Sequence, residues 1–103
     1  MKPTRCAECS RAFQPKRDHA TFCSTACRTA YHNRNAAHGK TIVPMLQAWR
    51  MARGSGPTAK EAFKEACRLL DAWNADDKAN GRARAEDMVA RQFAGALNAH
   101  FRA

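Results

Sequence analysis

Apolar residues recur at helical spacing over most of this 103-residue chain, but not at its start. Residues 1 to 22 show neither a helical period nor sustained alternation. That suits short ribbon-like strands around Phe13 and Thr21-Phe22, joined by a polar loop at Gln14 to His19. Such a segment cannot fold by burying apolar area. From Ser24 to about His38 the composition turns helical, with Ser24 placed to cap the first turn and Gly39 to stop the last. A shorter helix is expected from Pro44, a residue suited to a first helical position, to Arg53. It sets Ile42, Met45, Leu46 and Trp49 on one side.

Gly54-Ser55-Gly56-Pro57 interrupts this pattern and marks a hinge. Beyond it, Thr58-Ala59-Lys60-Glu61 matches a capping box, in which a threonine oxygen and a glutamate carboxylate satisfy free backbone donors at a helix start. Phe63, Ala66, Cys67, Leu70 and Trp73 then recur at helical spacing, and Asn80-Gly81 supplies a left-handed stop. A last helix from about Arg84 to Phe101 carries Met88, Val89, Phe93, Ala96, Leu97 and Phe101 on its apolar side. Two amphipathic helices joined by so short a turn are expected to lie antiparallel and share those faces, with the Pro44 helix and Trp49 as third member of the core. Cys67, on the inner face, is expected to be a buried small hydrophobe. The resulting division is 1–40, a connecting helix at 41–53, the hinge at 54–57, and a helical hairpin module at 58–103.

Composition narrows the field. With 45% hydrophobic and 26% charged residues the chain has room for one ordinary domain or two very small ones, too little for a large substrate-enclosing enzyme. No run approaches the roughly 18 consecutive apolar residues of a membrane span, and the first residues lack the apolar stretch of a secretory signal. A cytoplasmic location, with no membrane partner, is the expectation. The net charge of +9 is uneven. Residues 1–53 hold ten basic and two acidic side chains, whereas residues 54–103 hold eight and seven. The split points to a basic half that meets a polyanion and a nearly neutral half that mainly packs.

Five cysteines in a reducing compartment favour metal over disulfides. Four form two short pairs, Cys6-Ala7-Glu8-Cys9 and Cys23-Ser24-Thr25-Ala26-Cys27, separated by thirteen residues. The first spacing turns two sulfurs toward one point from a tight knuckle; the second sets sulfurs one helical turn apart on one side. One tetrahedral, structural Zn2+ is therefore expected, and the Cys-rich runs typical of ferredoxin clusters are absent. Binding is worth roughly 10 to 16 kcal/mol in small zinc peptides, enough to replace the core that the first 30 residues lack.

Phe22-Cys23-Ser24-Thr25-Ala26-Cys27-Arg28, following Cys6 and Cys9, resembles the FCS-type treble-clef zinc fingers. These include the MYM-type fingers and a family of small bacterial gyrase-inhibiting zinc proteins. The resemblance covers about residues 5–35, with the second cysteine pair spaced one residue wider. It implies a treble clef, a zinc knuckle followed by a helix opened by the second pair. It also implies binding of DNA in some settings and of proteins in others. The gyrase-inhibitor pattern continues with an Asp-Leu-Gly and Trp segment, where this chain reads Thr29-Ala30-Tyr31-His32-Asn33-Arg34, so that activity does not carry over. The expected architecture is mainly α with a small zinc-stabilised β-hairpin, an N-terminal treble-clef finger followed by a helical C-terminal module.

Around the finger, Arg11, Lys16, Arg17, Arg28, His32, Arg34, Asn35, His38 and Lys40 form the candidate nucleic-acid surface. Arg28, His32 and Asn35 fall on one helical stripe, and these residue types bond phosphate oxygens or base edges. Tyr31, one turn after Cys27, is expected to cover the metal site. A nuclease reading would use His19 of the hairpin loop, but no partner set for a second metal is evident, and a four-thiolate zinc has no open position for water. The function expected is that of a non-enzymatic, zinc-dependent, bacterial nucleic-acid-binding accessory or regulatory protein, with DNA favoured. The alternative is an adaptor whose finger and helices dock on another protein. A homodimer through the C-terminal helices is a further expectation.

Overall fold

The computed structural model describes residues 3–17 and 20–102, with side chains as far as residue 94. Asp18 and His19, and the side chains of Ala96, Leu97 and Phe101, lie outside the described residues. Two strands, β1 (Thr4–Arg5) and β2 (Ala12–Phe13), precede three helices, α1 (Thr25–Met51), α2 (Pro57–Ala79) and α3 (Ala85–Arg102).

The strands pair antiparallel, with Thr4 opposite Phe13 and Arg5 opposite Ala12. The tight turn between them is closed by the Ser10 N–H donating to the Cys6 carbonyl at 2.9 Å and the Cys6 N–H donating to the Arg11 carbonyl at 2.9 Å. Phe13 therefore pairs with the chain before the first cysteine couple and not with Thr21-Phe22, as the sequence led us to expect. The later segment is joined to the turn by the Ala7 N–H donating to the Thr21 carbonyl at 3.0 Å.

α1 runs unbroken across Gly39 and Pro44, where a stop and a new start were expected. A glycine costs about 1 kcal/mol and a proline about 3 kcal/mol inside a helix, so something must offset them. Packing against α2 does so on both sides of Pro44. The His38 and Trp73 rings stack at 3.7 Å, the Trp49 and Phe63 rings stack at 4.9 Å, and Ile42 between them is buried. These pairings run in opposite sequence directions, so α1 and α2 are antiparallel. Local breaker signals lose to a tertiary contact that needs the longer helix.

The turn between α1 and α2 reverses sharply. Gly54, at φ 75°, donates its N–H to the Trp49 carbonyl at 2.9 Å, and a Cβ there would stand 3.2 Å from the Trp49 indole nitrogen. α2 then opens at Pro57, with Gly56 as its cap and no side-chain capping bond. The capping box expected from Thr58 does not form, because Pro57 with its preset φ starts the helix two residues earlier and puts Thr58 inside the first turn. At the other end Asn80 caps α2 and Gly81 takes the left-handed conformation at φ 68°, as the sequence indicated.

α2 lies along α1 where a hairpin with α3 was expected. The cause is the short connection between α2 and α3. The Ala83 N–H donates to the Ala7 carbonyl at 2.9 Å, and Gly81 approaches the Ser10 side chain, so the connection is fastened to the turn between the strands. α3 departs from that point and leaves Val89 at 42% and Phe93 at 63% exposure. The described core is correspondingly small: Cys6, Ala7, Ile42, Ala59 and Ala66. Cys67 is half-buried rather than buried, because it sits on the flank of the α1–α2 seam. No helix among the described residues is long and apolar enough to cross a membrane.

Two glycines of α1 and its end should respond oppositely to alanine. Gly39 is helical and a Cβ there meets nothing within 4 Å, so Gly39→Ala should stabilise by up to about 1 kcal/mol. Gly54→Ala forces a side chain into a left-handed position against Trp49 and should cost about 1–2 kcal/mol. Urea denaturation midpoints of the two variants check the signs.

Candidate metal centre

Each cysteine couple is delivered by a different local device. The turn after β1 holds Cys6 and Cys9 three residues apart, and the start of α1 holds Cys23 and Cys27 one helical turn apart. Ser24, extended at φ −157° and ψ 164°, caps α1 through its Oγ, which accepts from the Cys27 N–H at 3.2 Å. That bond fixes the direction of the first turn and hence of the Cys27 sulfur.

The four sulfurs converge. All lie within 4.8 Å of one another. The Cys9 and Cys23 Sγ atoms are 3.6 Å apart and those of Cys23 and Cys27 are 3.7 Å apart. Four sulfurs at about 2.3 Å from a central ion stand about 3.8 Å apart along a tetrahedral edge, whereas a disulfide needs about 2.05 Å. The group fits a metal ion and not a pair of bridges. Cys6 is buried, Cys23 and Cys27 half-buried and Cys9 exposed.

The electrostatics agree with that chemistry. Burial works against the Cys6 thiolate, but backbone N–H groups of Cys23, Cys9 and Glu8 bring its pKa down to about 6. Cys23, crowded first by the Cys9 thiol and also desolvated, is pushed up to about 12. Sulfurs this close do not all ionise without a cation among them, and a bound cation reverses the penalty.

Glu8, between the first two cysteines, ties the knuckle to α1. Its carboxylate accepts two bonds from the Arg34 guanidinium, at 2.6 and 2.7 Å, with Glu8 only 12% and Arg34 19% exposed. Those bonds hold the Glu8 carboxyl below its usual range against partial burial. Arg34 also lies 5.8 Å over the Tyr31 ring, which packs at 5.3 Å on Phe22, the neighbour of Cys23. On the other side, Arg82 bonds Asp76 at 2.8 Å and Asp77 at 3.2 Å, steadying the connection that carries Ala83 to Ala7.

The residues expected to meet nucleic acid divide into three groups. Lys16, Arg17 and Arg28 line one cleft of about 420 Å3 together with Phe13 and Phe22. Arg11, His32, Asn35 and Lys40 are exposed, and Asn35 lines a separate cleft with Arg34, His38 and Arg82. Arg34 and His38 are engaged within the protein, by Glu8 and by the Trp73 ring, and burial followed by the nearby Arg34 charge lowers the His38 pKa, favouring neutral imidazole. Sequence reasoning did not assign roles to Glu8, Arg82 or Ala83. Glu8 carried a usable signal, since it is one of two acids in a half with ten bases. Ala83 carried none, because it acts through its backbone.

No family model matches the chain, and no curated protein or solved structure is similar enough to it to count as a match. Fold and site by themselves define a mostly helical protein with a small antiparallel hairpin and a four-cysteine group placed to hold a metal ion.

Glu8→Ala leaves a partly buried guanidinium unpaired and should cost about 1.5–3 kcal/mol, while Ser24→Ala should cost about 1 kcal/mol through the lost cap. Neither removes a sulfur. Denaturation of the metal-loaded protein should show both losses with metal content per chain unchanged.

Proposed function

We propose that the four cysteines hold one structural Zn2+ and that the finger so formed binds nucleic acid, DNA in preference to RNA, through the cleft beside the metal. The donor set favours zinc, because four thiolates in a tetrahedron suit that ion and fill its coordination, leaving no open position for a catalytic water. The observation that carries the nucleic-acid reading is the cleft of about 420 Å3, where Lys16, Arg17 and Arg28 stand beside the rings of Phe13 and Phe22. Cations there neutralise phosphates and aromatic faces accept bases. All three cations are exposed, and none has an ion-pair partner among the described residues. Arg34 and His38 are left out of the proposed surface, since both are satisfied internally. Arg11, His32, Asn35 and Lys40 extend it.

Zinc should be found at one per chain, and chelation or acid should release it with loss of ellipticity from the α1 start, because thiolates must stay deprotonated to bind. Affinity for duplex DNA should fall with salt at a log-log slope near −0.9 per phosphate contacted. Arg28→Glu should weaken binding to all sequences alike and reduce that slope by about 1, with zinc content unaltered. Wild-type protein that binds neither DNA nor RNA at low salt would replace this reading with the adaptor one. Cleavage of DNA with added Mg2+ or Mn2+ would replace it with a nuclease.

A further inference from the structure

Two clefts among the described residues dispose their charges in opposite ways. In the one lined by α1 and α3, Arg34 is paired with Glu8 and Arg82 with Asp76 and Asp77, so its cations are spent within the protein. In the one beside the metal group, Lys16, Arg17 and Arg28 are exposed, and none of the described lining residues is acidic. Of the two, only the second is prepared for an anion.

Its form narrows the ligand further. Phe13 ends β2 and Phe22 immediately precedes Cys23, so the two rings reach the cleft from different segments. Both are half-buried, which leaves part of each ring open. Phe22 is braced by the Tyr31 ring at 5.3 Å and the His32 ring at 6.2 Å, both carried by α1, so its orientation is set before a ligand arrives. A protein that reads paired DNA inserts a protruding helix or ribbon into a groove, whereas this surface is a hollow. Within a duplex each base face is covered by its neighbours in the stack, and a ring lining a hollow has no access to one. A base that has left the stack offers its face. The volume of about 420 Å3 lies in the range that encloses a small ligand.

Resting on the nucleic-acid reading above, we infer that the cleft takes an unpaired nucleotide of a strand, its base against the Phe13 and Phe22 rings and its flanking phosphates on Lys16, Arg17 and Arg28. Gln14 and Thr25, exposed on the same walls, offer hydrogen-bonding groups to the base edges. The substrate class is single-stranded nucleic acid, including the gaps, overhangs and ends of otherwise paired molecules. Cys23 belongs both to the cleft wall and to the metal group, so the metal holds the Phe22 platform in place.

Fluorescence anisotropy of labelled strands with the zinc-loaded full chain tests this. Phosphate neutralisation alone favours the duplex, whose charge density is the higher, so the sign of the preference is diagnostic. A mixed-sequence strand without self-complementarity should bind about fivefold tighter or more than the same strand annealed to its complement with blunt ends, the lower end of what one base stacked on a ring contributes. Phe13→Leu with Phe22→Leu keeps the apolar bulk and removes both rings. It should cancel that preference and leave duplex affinity and zinc content unchanged; should the double variant lose zinc, Phe13→Leu alone carries the same test. A nucleoside monophosphate should not displace the strand at equal concentration, because it brings no neighbouring phosphates to the three cations. A duplex bound as tightly as the strand, or a preference that survives loss of the rings, overturns the inference and leaves the nucleic-acid reading standing. Displacement by the monophosphate assigns the cleft to free nucleotides and overturns it as well. A protein that binds neither strand nor duplex overturns both readings.

Discussion

Four sulfurs held within 4.8 Å of one another impose the constraint on which the rest of this fold is arranged. Thiolates that close repel, and only a cation among them makes the cluster favourable. The first 22 residues contribute two strands of two residues and, to the described core, only Cys6 and Ala7 of the first knuckle, so their position is dictated by the cluster and by the bonds that radiate from it. Glu8 reaches α1, Ala7 reaches the connection before α3, and Ser24 aligns the helix that supplies the second cysteine couple. The knuckle is thus a junction at which the start of α1, the end of α2 and the start of α3 are all fastened.

The helices obey a different balance. α1 tolerates an internal glycine and proline because stacking of His38 on Trp73 and of Trp49 on Phe63 rewards a helix that spans both. This pair of stacks also sets the register of the seam, which in turn decides which apolar residues face outward. Local propensity and tertiary packing compete openly at Gly39 and Pro44, and packing prevails.

Much of this was legible in the sequence, for reasons that can be stated. The cysteine spacing encodes a geometry that only a metal requires, and the Ser24 cap and the Asn80-Gly81 stop are local chemistry with no tertiary rival. The periodic segments revealed the helices. What sequence could not convey was partner choice. Helical periodicity shows that Phe63, Leu70 and Trp73 lie on one side of α2, not that α1 is the helix that receives them. Pro57 outcompeted the Thr58 capping box and moved the cap by two positions, to Gly56, a contest too even to resolve from composition. The engagement of Arg34 and His38 depends on residues 26 and 35 positions away along the chain, beyond the reach of any local pattern.

The bond between Ala83 and Ala7 is made entirely by main-chain atoms. Its survival therefore calls for no side-chain functional group at either position, although Ala7 is buried, so that only a small residue fits there, and a proline at 83 would remove the donor. Evolutionary drift can rewrite residue 83 while the attachment persists, so relatives of this chain can preserve the same junction with no recognisable signature there beyond a small residue in the knuckle.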